Sequence, residues 1–212
     1  MIVAIMSAQD PALRLQLAAS LAVLRARSGR SICIINADPH SRVYGWGCQR
    51  GYAGQGPSVP VRKLGRQALP EEIDSLSGTC TDLVIHTGER DTPEARSALG
   101  AARLAVVPIQ SGQASLESQY ALIARLNFAR MINPGLKVLF VLVTGGAAPT
   151  DLELASVRSY VAHVMSASLA STILLDPGSR EYGPGRCVAD AETCDPELAA
   201  GLQALYREIY LH

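Results

Sequence analysis

Short, continuously apolar runs alternate along this chain with longer stretches whose apolar residues recur every three or four positions. Ile2–Met6, Ser31–Ile35, Leu83–His86, Leu104–Ile109, Val138–Val143 and Thr172–Leu175 are such runs, each four to six residues long. Most are β-branched or aliphatic throughout. This predicts parallel strands covered on both faces rather than half-exposed strands with alternating polarity. The intervening segments carry helix starts: Asp10-Pro11, Thr92-Pro93 and Asp195-Pro196 each place an N-cap residue before a proline at the first helical position. Thr150-Asp151-Leu152-Glu153 has the spacing of a capping box. In the first helical segment Leu13, Leu17, Leu21 and Leu24 form one stripe flanked by Leu15, Ala18, Ala19 and Ala22. A helix apolar on most sides is expected to be well buried, and this one should end near Gly29. Leu116, Tyr120, Ile123 and Leu126 form a second stripe, read as a core face. The order of elements predicts an α/β fold: a doubly wound, mostly parallel sheet with helices on both faces. Nothing marks a domain boundary or a repeat, so residues 1–212 are expected to form one domain.

One segment interrupts the alternation. Residues 39–66 contain six glycines, three prolines and five basic residues, with Tyr44, Trp46 and Tyr52 among them. A long irregular loop is expected here, following the second strand and lying at the carboxyl edge of the sheet, where open α/β folds bind ligands. Its Arg42, Arg50, Arg62, Lys63 and Arg66 could neutralise phosphates while Tyr44, Trp46 and Tyr52 stack on bases, or the aromatics could pack beneath the loop.

Composition narrows the classes. With 212 residues, 48% hydrophobic and 18% charged, the chain is long enough for a substantial core and is neither disordered nor collagen-like. No apolar stretch approaches 18 residues, which excludes a membrane-spanning helix, and Met1–Met6 lacks a basic leader, so a cytoplasmic location is expected. The five cysteines (Cys33, Cys48, Cys80, Cys187, Cys194) are scattered, without a C-x-x-C pair. Buried thiols are expected rather than a disulfide framework or a metal site. Net charge is zero, yet residues 1–70 hold eight arginines and one lysine against only Asp10 and Asp38. The remainder is correspondingly acidic. Such a split can mark a basic contact surface, or the two halves can neutralise one another within one globule.

Several motifs together carry a family resemblance. Met1–Met6 is followed by Ser28-Gly29-Arg30 and the strand Ile32–Ile35, then by Asn36-Ala37-Asp38-Pro39 and Trp46. Asp82–Ile85, Leu104–Gln110 with its internal Pro108, and Asn133-Pro134-Gly135 before Leu136–Val138 continue the pattern, and Arg180, Tyr182, Gly185 and Val188 echo its C-terminal part. The chain resembles the ParA/MinD family of deviant P-loop ATPases, which position plasmids, chromosomes and cell-surface machines. The resemblance implies a P-loop NTPase-like fold of ParA/MinD type. It departs from the family where nucleotide chemistry resides. The family's K-G-G-x-G-K-[ST]-[ST] loop corresponds to Ser7–Gln16, and no glycine occurs between Met1 and Gly29. By position Gln9 stands for the signature lysine, Arg14 for the Walker A lysine and Leu15 for the magnesium-binding hydroxyl. Asn36 stands for the first acid of D-x-D, Asp38 keeps the second, and Thr87 or, with a one-residue shift, His86 stands at the Walker B acid.

Asp10 would supply its own anion at the helix N-terminus and Pro11 removes a donor, so no ATP or magnesium is expected as cofactor. The resulting expectation is a non-catalytic scaffold, a pseudo-ATPase acting through protein contacts in partition, DNA transfer or placement of a cell-surface apparatus. Its partner would be a second copy, a catalytic paralogue or another protein. Two alternatives stand beside it: a nucleic-acid-binding adaptor using residues 39–66, and a switch that keeps weak ATP binding through Arg14 without hydrolysis. An enzyme of altered chemistry finds no nucleophile–base pair, and His86 is read as a hydrogen-bonded structural residue.

Overall fold

The computed structural model describes residues 1–7, 10–64, 68–76, 78–110, 116–178, 180, 182–190 and 196–211, the side chains of 116–119 excepted. The chain runs β1 (Ile2–Ile5), α1 (Pro11–Arg27), β2 (Ile32–Asn36), α2 (Val43–Tyr52), β3 (Val61–Lys63), α3 (Leu69–Leu76) and β4 (Asp82–His86). It continues through α4 (Pro93–Ala101), β5 (Leu104–Gln110), α5 (Leu116–Ile132), β6 (Lys137–Thr144), α6 (Asp151–Val161), β7 (Ala167–Leu169), β8 (Leu174–Leu175), a 3-10 turn (Val188–Asp190) and α7 (Pro196–Tyr210). The strands form one sheet in the order β3-β2-β4-β1-β5-β6-β7, with β8 also pairing to β6. Every pairing is parallel. The predicted fold class is the observed one.

Pleating distributes the apolar runs between two cores. Val3 and Ile5 face the cluster made with α1, α2 and α7, while Ala4 and Met6 face α4, α5 and α6. A third cluster packs β2 and β4 against α3 and α4 through Ile35, Leu69, Leu76 and Ile85. Because both faces are covered, the strands need no polar alternation, which is why their sequences read as unbroken apolar runs.

Three helix starts behave as their sequences predict. Thr92 accepts a hydrogen bond from the Ala95 N–H, Thr150 and Glu153 form a reciprocal capping box, and Asp10 accepts from the Leu13 N–H at 2.9 Å. Asp195 lies outside the described residues. Helix α1 closes at Ser28 and Gly29, the latter at φ 81°, and its middle residues 17–24 are buried.

Other expectations are corrected. Residues 39–66 are not one irregular loop: they contain α2 and the edge strand β3, which pairs with β2 from Ile34↔Val61 to Asn36↔Lys63. Glycines at 45, 47 and 51 hid the helix, and a three-residue strand reading Val-Arg-Lys has no apolar run. Strand β7, reading Ala-Ser-Leu, likewise has no apolar run. On α5, Ile123 and Leu126 are buried but Tyr120 is exposed, so the expected core stripe is narrower than its spacing suggested. Cys33 and Cys187 are buried, whereas Cys48 is exposed and Cys80 half-buried; Cys194 lies outside the described residues.

Candidate functional site

The carboxyl ends of β1, β2 and β4 lie side by side at the centre of the sheet, and the residues that follow them meet the start of α1. Asp10 precedes that helix in a left-handed conformation, φ 55°. Aspartate tolerates that region better than most residues, because its short polar side chain can bond locally. Here the Asp10 carboxylate does so, and it occupies the third-position N–H of the helix, while Pro11 supplies no N–H at the first. Gln9 lies outside the described residues.

Arg14, one turn in, sends its side chain inward rather than towards solvent. It is 2% exposed. One terminal nitrogen donates to the Ser7 carbonyl at 3.0 Å and the other stands 3.7 Å from an Asp38 carboxylate oxygen, while Nε has no partner among the described residues. Burial pulls the guanidinium pKa below its ordinary value, against the opposing charges of Asp38, Glu89 and Asp10. Asp38 is held in turn: its backbone N–H donates to the Asn36 side chain at 3.2 Å, and its carboxylate accepts from the His40 N–H at 3.0 Å. Gly88 leaves room for this carboxylate, since a Cβ there would stand 3.2 Å from Asp38 Cγ. Leu15 is half-buried and packs against the α1 core.

Thr87 and His86 end β4. Thr87 is fully buried and donates to the Ile5 carbonyl at 3.2 Å, tying β4 to β1. His86 departs from expectation. It is buried, yet neither ring nitrogen has a hydrogen-bond partner among the described residues. Burial first, then the neighbouring Arg14 charge, pushes its pKa down to about 4, so the imidazole is neutral at physiological pH.

The basic, aromatic segment divides into two populations. Arg50 is 1% exposed and is the most fully bonded arginine of the fold's α2 region: Nε donates to the Pro57 carbonyl at 2.9 Å, and its terminal nitrogens reach the Gly185 and Gly56 carbonyls at 3.0 and 2.7 Å. The same nitrogens grip both oxygens of Asp190 at 2.7 and 3.1 Å. Trp46 is also buried, donating to the Arg186 carbonyl at 3.0 Å beneath the Arg50 guanidinium. Neither is available to a nucleic acid, which corrects that part of the expected contact set. Arg42, Tyr44, Tyr52, Arg62 and Lys63 remain exposed, Tyr52 at 94%. Arg66 lies outside the described residues.

A buried guanidinium, an aspartate cap and a proline thus occupy the place where an open α/β fold normally presents its ligand-binding loop. No family model and no curated protein matches the chain in sequence. Solved structures match it in fold. The cell division ATPase MinD of Pyrococcus furiosus superposes with TM-score 0.71 at 19% identity, covering 98% of this chain and 97% of that one. A plasmid partition protein from Borrelia burgdorferi gives 0.63 at 10% identity over 99% and 97%. This is the ParA/MinD-type fold. Cobyrinic acid a,c-diamide synthase from Mycobacterium smegmatis, solved with an ATP analogue and magnesium, also shares it, with TM-score 0.63 at 15% identity over 98% and 91%.

Arg125 and Asp190 belong to no motif of the sequence, and only the fold brings them to these positions. Arg125 of α5 is buried and donates to the Glu89 carbonyl at 3.2 Å. Asp190, in the 3-10 turn Val188–Asp190, meets Arg50 from 140 residues further along the chain. At the opposite, amino-terminal end of β4, Asp82 gathers the Met1 ammonium, Arg25 and Arg30 at 2.8, 2.9 and 3.3 Å. Among the described residues no group of three His, Cys, Asp or Glu side chains could share a metal ion, and no helix is long and apolar enough to cross a membrane.

Proposed function

We propose that this chain is a non-catalytic relative of the ParA/MinD-type ATPases, a scaffold that acts through protein contacts in partition, DNA transfer or the placement of a cell-surface apparatus. The observation that carries this reading is the start of α1. Phosphate binds at helix N-termini because free N–H groups and the positive end of the dipole favour an anion there. Here Asp10 uses one of those donors and Pro11 deletes another. The Asp10 charge opposes an incoming phosphate by about 4 kcal/mol per charge pair at about 4 Å in a partly screened site. Arg14 is directed at Ser7 and Asp38, and Leu15 has no oxygen to offer magnesium. Phosphoryl transfer depends on positioning and on charge neutralisation by a metal and a cation. These residues do not fit a magnesium-bound triphosphate, so no hydrolytic step is assigned to them, nor a weak nucleotide-binding role to Arg14.

Partners are expected to be proteins, either a second copy, a catalytic paralogue or another component of the same apparatus. One solved structure of this fold is a MinC:MinD complex from Aquifex aeolicus, which supports the use of the fold in protein assembly. Isothermal titration calorimetry with ATP and magnesium is the direct test. No heat of binding at millimolar nucleotide is expected, and a micromolar dissociation constant would overturn the proposal.

A second reading has its own observation. Arg42, Tyr44, Tyr52, Arg62 and Lys63 are exposed on neighbouring parts of α2, β3 and the turns around them. Cations beside exposed aromatics suit single-stranded nucleic acid, with affinity falling steeply as salt rises. Binding of a fluorescent oligonucleotide at two salt concentrations, with Tyr52→Ala and Arg62→Ala variants, separates the readings. Affinity unchanged in both variants removes this surface from the contact.

A further inference from the structure

A groove of about 340 Å³ runs between α4 and α5, on the opposite face of the sheet from α1. Leu99 and Ala129 form its buried floor and Phe128 and Ile132 its exposed wall. Gly100 and Ala124 keep it open: a Cβ at Gly100 would meet nothing within 4 Å. The lining is apolar except where Arg125 and the Asp91–Arg96 pair close it.

Arg125 is 9% exposed, and its Nε has no hydrogen-bond partner among the described residues. Among the described residues its guanidinium donates to a neutral carbonyl, that of Glu89, and no carboxylate lies within ion-pair distance. Burial lowers its pKa, Asp91 favours its charge and Arg14 opposes it. Asp91 is already committed, accepting two hydrogen bonds from Arg96 at 3.0 and 2.7 Å. A buried cation without a matched anion is costly, and an apolar trough beside it offers the rest of a binding site.

We propose that the α4–α5 groove binds a single-chain aliphatic carboxylate, its carboxylate on Arg125 and its hydrocarbon chain along Leu99, Phe128 and Ile132. A planar guanidinium matches a carboxylate through paired N–H donors, and one cation neutralises a monoanion. The groove's volume is at the lower end of ligand pockets, suiting a chain of medium length. A phosphate headgroup, with its second charge and additional oxygens, would leave acceptors facing apolar side chains.

The test titrates the intact protein by calorimetry with decanoate, decanol and decyltrimethylammonium, each below its micellar or solubility limit. Saturable decanoate binding is expected, about tenfold or more tighter than decanol, the increment of one charge-assisted hydrogen bond. The ammonium compound should not bind. Arg125→Met should reduce decanoate affinity to that of decanol, and Ala124→Phe, which fills the groove from an exposed position and keeps Arg125, should abolish it. If Arg125→Met does not fold, Ala124→Phe and the three-ligand comparison carry the result. Equal affinity for decanoate and decanol, an undiminished response in Ala124→Phe, or binding to phosphatidylglycerol vesicles with no response to decanoate would each overturn the proposal.

Discussion

Arg50 and Asp190, 140 residues apart, form a two-pronged ion pair at 2.7 and 3.1 Å that fastens α2 to the C-terminal 3-10 turn. The remaining donors of Arg50 are met by three carbonyls, so the guanidinium is satisfied on all sides despite its burial. Removing one member of a buried pair leaves the other charged and unmatched, which typically costs about 3–5 kcal/mol. Arg50→Met is therefore expected to lower the thermal midpoint by roughly 10 °C in a chain of this size. Arg14, with one hydrogen bond and a looser 3.7 Å approach to its acid, should be far more replaceable. Thermal unfolding of Arg50→Met and Arg14→Met checks the contrast, and equal losses would show that bond count does not separate the two sites.

Gly185 meets this clasp from the other side. It adopts φ 67°, and a Cβ there would collide with the backbone of Arg50. Both the left-handed conformation and the contact oppose any side chain. Gly185→Ala is expected to cost at least about 2 kcal/mol in denaturant unfolding. An unchanged midpoint would mean that the turn finds another route past α2.

His86 makes stability depend on mildly acidic pH. Burial and Arg14 hold its pKa near 4 in the fold, against 6.5 for an ordinary histidine. Between those values the unfolded chain takes up a proton that the folded one does not, so stability falls as pH drops from about 6.5 to about 4. The full change is about 3 kcal/mol. His86→Leu should remove this limb and be the more stable protein at pH 5. Arg14→Met should raise the His86 pKa, read from imidazole NMR shifts. A histidine titrating near 6.5 in the wild type would refute both.

A second acid limb belongs to carboxylates. Burial tends to raise the Asp82 pKa, but hydrogen bonds from the Met1 ammonium and Arg25, with their charges, hold it below its ordinary 3.8. The stabilisation it provides is present above 3.8 and disappears as pH falls through the lower folded value. Asp82→Asn should cost about 3 kcal/mol at neutral pH and flatten the unfolding curve below pH 4. Acid titration monitored by circular dichroism distinguishes this from a variant that merely lowers stability at every pH.

The architecture was legible because parallel strands and helix caps act locally: an apolar run, Thr92-Pro93 or Thr150 with Glu153 announces itself within a few residues. Strand β3 was not, since Val61–Lys63 owes its conformation to pairing with β2 rather than to its own pattern. The site divided in the same way. Asp10 and Pro11 could be read as an altered helix start from the sequence, whereas the opposite fates of Arg50 and Arg62, buried and exposed, rest on contacts with residues far away in the chain. Arg125 had no motif; its interest lies in a missing partner, which only three-dimensional packing reveals.

The reach of the Arg50 clasp also sets an order of events during biosynthesis. Its guanidinium leaves the ribosome 140 residues ahead of the carboxylate that matches it. At translation speeds of about 5–20 residues per second, that interval lasts roughly 7–28 s. Throughout it, α2 and the turn after it carry a cation whose final surroundings do not yet exist. Protease protection of residues 43–64 in stalled nascent chains, extended by a linker long enough to clear the exit tunnel, should accordingly appear only once Asp190 has emerged, so that α2 finishes packing on a residue made long after it.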